Sequence, residues 1–77
     1  MPEKEFTALV RKTVGEYTNT PAEDVYIVWM CKTLQNSKAL ASTNKGDGLY
    51  FELTYNGNKR ELYVDVYRKE HNCVVVV

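Results

Sequence analysis

The start of the chain carries apolar positions at the spacing of one face of an α-helix. These positions are Phe6, Leu9, Val10, Thr13, Val14 and Tyr17. We predict a helix over residues 3–18, because Thr20 precedes Pro21 and is therefore biased away from helical backbone angles. Thr20 and Glu23 also have the spacing of a capping box, which predicts a single helical turn after the proline.

Residues 24–34 carry the strongest strand pattern, because β-branched and aromatic side chains follow one another there without glycine or proline. Strict alternation divides the apolar side chains of this strand between its two faces. One face receives Val25, Ile27, Trp29 and Cys31, and the other receives Tyr26, Val28 and Met30. Since both sets are apolar, the strand is predicted to lie centrally with both faces covered.

Three shorter strands are predicted over residues 38–43, 49–55 and 60–67, with turns or loops at 35–37, 44–48 and 56–59. In the last hairpin, the Asn-Gly pair favours a two-residue turn, which sets Glu52 opposite Glu61. A four-residue loop sets Leu53 opposite Leu62 and avoids the opposed carboxylates, so we favour it. Both registers keep the apolar residues of the two strands on a common face.

One helix followed by these strands predicts an α+β fold. It is a two-layer sandwich with the N-terminal helix packed on a three- to five-stranded antiparallel sheet, in a single domain over residues 1–77. One helix cannot cover both faces of a sheet, so the second face is predicted to be either a solvated, tyrosine-rich surface or an interface, and we favour the interface. Its candidate contact residues are Tyr26, Val28, Met30, Tyr50, Tyr63 and Tyr67. We expect the apolar run at 73–77 to pair at a sheet edge or with another chain; the alternative is that it folds across this second face.

The length and the charge of the chain narrow the possible functions. A domain of 77 residues has a small core, and domains of this size often need a disulfide, a metal or a partner. A disulfide between Cys31 and Cys73 is not expected in the cytosol, so self-association is the expected source of stability. Ten basic and ten acidic side chains give zero net charge, which argues against a strongly basic nucleic-acid-binding protein. No segment approaches the roughly 20 apolar residues of a membrane span, and the amino terminus lacks a signal-peptide pattern, so we expect a cytoplasmic protein without membrane contact.

No residue pattern predicts a catalytic, cofactor or metal site. His71 is the only histidine and lies in a polar segment, where a solvated side chain is expected. Cys31 is expected to be a small buried apolar side chain, and the potential metal ligands are not clustered. Glu52, Glu61 and Asp65 could gather on one face, but alternating polar residues of a sheet usually serve solubility. We therefore expect no enzymatic activity, no cofactor and no small-molecule substrate.

Binding of nucleic acid through a lysine-rich edge is the alternative function. The candidate residues are Lys32, Lys38, Lys45, Lys59 and Arg60. Exposed aromatic residues set among basic residues are typical of RNA-binding sheets. The predicted tyrosine-rich face carries carboxylates instead, and the chain lacks the glycine–aromatic signature of such sheets, so this alternative ranks second.

Three segments of the chain resemble a known family. They are residues 23–40, 47–57 and 61–67, and the most specific part is the Val-Trp-x-Cys-Lys-Thr-Leu-Gln-Asn run at residues 28–36. Over residues 5–70 the chain is similar to a family of short uncharacterised proteins encoded by phages and prophages of Gram-positive bacteria. The resemblance implies no activity; it implies a phage accessory protein, a class whose members often bind host machinery or host-defence proteins. We therefore expect a self-associating, non-enzymatic protein that binds an unidentified host or phage protein.

Overall fold

The computed structural model describes all 77 residues. Its elements are one helix, α1 (Glu3–Thr18), a 3-10 turn (Ala22–Asp24), and four strands, β1 (Val25–Thr33), β2 (Asn36–Thr43), β3 (Leu49–Asn56) and β4 (Glu61–Arg68). The strands form one antiparallel sheet in the order β1-β2-β3-β4, so each strand pairs with its neighbours in the chain. The helix packs on one face of this sheet, which confirms the predicted α+β two-layer arrangement.

The apolar stripe of α1 faces the sheet, as its spacing predicts. Phe6, Val10 and Val14 are fully buried. The helix ends after Thr18, where Asn19 adopts a left-handed backbone conformation with φ of 55°. The predicted end before Pro21 is therefore confirmed.

A single helical turn follows α1, as predicted, but the predicted capping box does not form. The turn begins after Pro21, and no side chain caps it. The Thr20 hydroxyl donates instead to the Thr18 carbonyl at 3.2 Å. Because Thr20 is held by the end of the preceding helix, its side chain does not reach forward to cap the turn.

The buried apolar side chains form one cluster between α1 and the first three strands. Its members are Phe6, Val10, Val14, Val25, Ala39, Ala41, Phe51 and Leu53. β2 contributes only the two alanines to this cluster. Alanine has a low strand propensity, which is why the sequence of this segment predicts a strand only weakly. The fourth strand contributes no fully buried residue to the cluster.

A one-residue bulge at Val28 interrupts β1. Ile27 pairs with Ala41 and Trp29 pairs with Leu40, so Val28 has no partner in the register. An extra residue of this kind turns the following part of a strand over. The strict alternation predicted for residues 24–34 is therefore wrong after Ile27.

The bulge exchanges the faces of the residues that follow it. Met30 pairs with the buried Ala39, and its sulfur lies 4.0 Å from the Thr7 hydroxyl of α1, so it faces the helix. Trp29 and Cys31 lie on the opposite face, and both are exposed. The prediction that Cys31 is a small buried residue is therefore wrong. β1 is also an edge strand rather than the predicted central one.

The β3–β4 hairpin has a four-residue turn, as favoured from the sequence, but it has neither of the two predicted registers. Asn56 pairs with Glu61, and Leu53 faces Val64 rather than the predicted leucine. The Asn56 side chain accounts for the difference, because its Oδ1 accepts two backbone N–H groups of the turn at 3.1 and 3.2 Å. Asn56 therefore ends the strand instead of beginning the turn, while the apolar residues still share one face.

The turns of the two outer hairpins touch each other at one end of the sheet. Leu34 and Gln35 form the β1–β2 turn, one residue earlier than predicted, and Leu34 has a φ of 56°. The Gly57 N–H donates to the Asn36 Oδ1 at 3.3 Å. A Cβ atom at Gly57 would overlap the Gln35 carbonyl oxygen, so this close approach requires glycine.

Residues 69–77 form neither helix nor strand. The segment begins with a hydrogen bond from the Lys69 N–H to the Gly48 carbonyl at 2.7 Å. Its apolar end, Val74–Val77, is fully exposed. The predicted pairing of this run at an edge of its own sheet is therefore wrong, and so is the alternative in which it folds across the second face. Its pairing with another chain stays a prediction.

Candidate protein-binding face

The sheet face opposite α1 has no covering element, and we call it the open face. It is formed by alternate residues of each strand, whose neighbours in the chain face the helix. Its charged members are Lys38, Glu52, Glu61 and Asp65, and its other large members are Tyr26, Trp29, Cys31, Leu40, Tyr50, Tyr63 and Tyr67. The helix packs against the other face alone, so these side chains meet solvent.

The aromatic side chains of the open face are half exposed and come from three different strands. Their exposed fractions lie between 41% for Tyr67 and 49% for Trp29. Tyr50 and Tyr67 are cross-strand partners, and their rings stack with centroids 5.0 Å apart and planes inclined by 15°. An aromatic surface of this kind is typical of the centre of a protein interface, because rigid rings contribute contact area at low cost in side-chain entropy.

Two carboxylates lie directly opposite each other within this aromatic surface. Glu52 of β3 pairs with Asp65 of β4, and like charges in that position destabilise a sheet. Lys38 offers partial compensation, since its Nζ lies 3.6 Å from the Glu52 carboxylate. Asp65 has no ion-pair partner within the chain. The open face therefore combines apolar rings with negative charge that the chain itself does not neutralise.

The carboxylates of the open face disfavour ionisation of two of its tyrosines, whose pKa values are raised. The Tyr63 hydroxyl donates to the Glu61 carboxylate at 2.7 Å, and this hydrogen bond raises the pKa of Tyr63 above its usual value. The negative charge of Glu52 raises the pKa of Tyr67, and the charge of Asp65 adds to the effect.

A hollow of about 750 Å³ lies at the end of the open face where β1 meets the β2–β3 loop. Tyr26, Val28 and Tyr50 form its apolar part, and Arg68 and His71 lie on its polar rim. The bulge places Val28 at this margin, 64% exposed. The hollow is an extension of the open face.

A family model for a family of unknown function (DUF6275) matches residues 3–77, which include the helix, all four strands and the final valines. The chain belongs to this family. No curated protein and no solved structure is detectably similar to it.

The structure places four of the six predicted interface residues together. Tyr26, Tyr50, Tyr63 and Tyr67 share the open face, and Val28 lies at its margin in the bulge. The placement of Met30 on this face is wrong, because the bulge turns it toward α1. Sequence reasoning missed Trp29 for the same reason, and it also missed Leu40, which lies opposite Trp29 on β2. No signal in the apolar run of β1 marks which residue is the extra one.

The basic residues of the alternative function do not form one patch. Lys38 pairs with Glu52 on the open face, and the Lys45 Nζ donates to the Thr18 carbonyl at the end of α1. The Lys32 Nζ donates to the Met1 carbonyl at 3.1 Å, on the helix side. The remaining pair, Lys59 and Arg60, lies in the β3–β4 turn. Three of the five basic groups are thus occupied by contacts at separate places.

The remaining candidate residues stand apart from one another. Cys31 and Cys73 are both free and exposed, with the Cys31 sulfur 3.8 Å from the Thr33 hydroxyl. His71 lines the hollow at the end of the open face. No three His, Cys, Asp or Glu side chains lie close enough together to hold a metal ion. No helix is both long enough and apolar enough to cross a membrane.

Proposed function

We propose that this chain is a phage- or prophage-encoded accessory protein that acts in the bacterial cytoplasm by binding another protein through its open face. It acts without catalysis, and it also self-associates. The phage context comes from the sequence resemblance described above. The binding role rests on the open face, and above all on the opposed carboxylates among its tyrosines.

The carboxylate pair carries this proposal. The repulsion between Glu52 and Asp65 lowers the stability of the isolated sheet, and replacement of either residue by a neutral one would remove this repulsion. Local features that disfavour the fold are typical of functional sites. A basic side chain of a partner would relieve the repulsion, and the neighbouring rings of Tyr50 and Tyr67 would contact its aliphatic stem or its charged group.

The partner that fits this face is a protein with an exposed arginine or lysine surrounded by apolar residues. Arginine matches best, because its planar guanidinium binds carboxylates in a forked geometry and stacks on tyrosine rings. The same negative charge repels a phosphate backbone. This supports protein binding over the nucleic-acid alternative.

Two substitutions on the open face test the proposal by capture from host lysate, with captured proteins identified by mass spectrometry. We expect the protein captured by the wild type to be lost with Tyr50→Ala and with Asp65→Asn. Tyr17→Ala is the matched control, because Tyr17 is an exposed tyrosine on α1 and should leave capture unchanged. Circular dichroism checks that each variant is folded.

The Asp65→Asn variant separates a functional from a merely structural role. It removes the like-charge repulsion, so the free energy of unfolding should rise by about 0.2–1 kcal/mol while binding falls. Retention of the captured protein by both open-face variants would overturn the proposal. Salt-dependent binding of DNA or RNA that Lys59→Ala and Arg60→Ala abolish would instead establish the alternative function.

A further inference from the structure

The two free edges of the sheet differ in their capacity to pair with another strand. β1 is broken by the bulge at Val28, and bulges discourage pairing because they twist an edge away from a neighbouring strand. β4 is paired with β3 over all eight of its residues without a break, and it contains neither proline nor glycine. The regular edge, β4, is therefore the one that can accept a further strand.

One hydrogen bond determines which backbone groups of β4 point outward. The Lys69 N–H donates to the Gly48 carbonyl at 2.7 Å, in the register that continues along β3 and β4. Because bonded and non-bonded pairs alternate in an antiparallel ladder, the odd-numbered residues of β4 bond to β3. The N–H and C=O groups of Leu62, Val64 and Val66 consequently face the free edge.

The same three residues form an apolar stripe on the helix side of the sheet, in which Leu62 is partly buried against the core and the two valines are exposed. Val64 and Val66 are 37% and 39% exposed, whereas their cross-strand partners Leu53 and Phe51 are 0% and 1% exposed. The core therefore ends between β3 and β4. Both the free backbone groups and the free apolar side chains of β4 belong to its even-numbered residues.

We propose that a second copy of this chain pairs with β4, strand to strand and antiparallel, with a two-fold axis at Val64. The two sheets then form one continuous sheet with both helices on the same side. Val64 lies opposite the partner's Val64, and Leu62 lies opposite the partner's Val66, so the two apolar stripes cover each other. This inference specifies the self-association that is part of the proposed function.

Charge on the open face selects this register over its neighbours. With the axis at Val64, Tyr63 lies opposite the partner's Asp65 and Glu61 lies opposite the partner's Tyr67, so phenols face carboxylates. An axis at Asp65 would oppose two aspartates, and an axis at Tyr63 would oppose Glu61 to the partner's Asp65. Directly opposed like charges disfavour both of these alternatives. Of these three registers, only the one at Val64 satisfies the outward backbone groups and the side-chain charges together.

Sedimentation velocity over a range of concentrations tests for the dimer. The contact is one strand wide, which places it among the weak interfaces, so we expect a dissociation constant on the order of 1–100 µM. Val64→Pro should abolish the dimer, because it removes an outward N–H without removing a bond to β3. A strict monomer at about 1 mM, or a dimer that Val64→Pro leaves intact in a folded variant, would overturn the proposal.

Cysteine cross-linking tests the register and does not depend on the proline variant. In a background of Cys31→Ser and Cys73→Ser, Val64→Cys should form a disulfide-linked dimer on mild oxidation, because the symmetry axis sets the two thiols opposite each other. Val66→Cys is the matched control: it is equally exposed, but its opposite residue is a leucine. Equal cross-linking of both variants would overturn the proposed register.

Two further measurements separate this inference from its competitors. Removal of residues 73–77 should leave the dimer intact; loss of the dimer would show that the exposed valines occupy the edge instead. Capture of the partner protein should survive Val64→Pro, while Tyr50→Ala should leave the dimer intact. Failure of the dimer and failure of the open-face proposal are therefore observed separately.

Discussion

Because Val28 is the extra residue of a bulge, we expect β1 to tolerate its deletion. Deletion of one residue from a regular strand would instead exchange the faces of all the residues that follow. Removing Val28 joins the Ile27–Ala41 pair directly to the Trp29–Leu40 pair, so the other residues of β1 keep their partners and their faces. The deleted side chain is largely exposed and has no partner in the register. We therefore expect the deletion variant to retain the native fold.

The magnitude follows from the part of the valine side chain that is buried, roughly a third. Full burial of a valine contributes about 1.5–3 kcal/mol, so the deletion should lower the free energy of unfolding by about 0.5–1 kcal/mol. In a regular strand the same deletion would exchange the faces of all the residues that follow it, so that core side chains would meet solvent and outer side chains would meet α1. Overpacking and lost burial would then cost about 3 kcal/mol or more.

Guanidinium unfolding, followed by the fluorescence of the only tryptophan, Trp29, measures this difference. Deletion of Val64 is the matched control, because Val64 is a valine in the unbroken register of the other edge strand; we expect it to cost about 2 kcal/mol or more. Acrylamide should quench Trp29 in the wild type and in the Val28 deletion variant alike. A loss of about 3 kcal/mol on deleting Val28, or a Trp29 shielded from acrylamide, would refute the reasoning.

Three further predictions follow from the turns and the open face. Gly57→Ala should lower the free energy of unfolding by about 1–3 kcal/mol in chemical denaturation, because its Cβ would overlap Gln35; an unchanged stability would contradict the close approach. Leu34→Asn should raise the melting temperature through a gain of about 0.5–1 kcal/mol, because asparagine tolerates the left-handed conformation, whereas the control Leu34→Ala should give no gain. Glu61→Gln should move the pKa of Tyr63 down toward its usual value of 10.0 in an ultraviolet titration. A raised tyrosine pKa adds stability to the folded state while the phenol is protonated, and this added stability is lost as the pH rises past the pKa of the folded state. The wild type should therefore lose more stability than the variant in alkaline solution. An identical pH dependence of the two proteins would count against the hydrogen bond.

The helix and the approximate positions of the four strands could be predicted from the sequence, because each depends on local patterns. The stripe of α1 has only one face that can be buried, and the residues around Pro21 end the helix by a local steric effect. The tyrosine-rich character of the second face was also predictable, since Tyr50, Tyr63 and Tyr67 alternate with apolar residues in strands without bulges.

Two of the wrong predictions arose where several arrangements satisfy the same local pattern. The apolar run of β1 allows either face to be buried at every position, so nothing in it distinguishes Trp29 from Met30 as the core residue. Tertiary packing decides, because α1 accommodates the flexible methionine beside Thr7. In the β3–β4 hairpin, the Asn56 side chain makes hydrogen bonds to the turn that residue propensities do not reveal.

The end of the core at β3 also has a consequence for the motions of the molecule. β4 is held by one neighbouring strand and by no helix, so we expect its amide protons to exchange with solvent through local opening long before those of β2, which is paired on both sides. The strand that opens first carries Tyr63 and Tyr67. Slower deuterium uptake along β4 would therefore be an early and residue-specific sign that a partner has bound to the open face or that a second copy has paired with the free edge of β4.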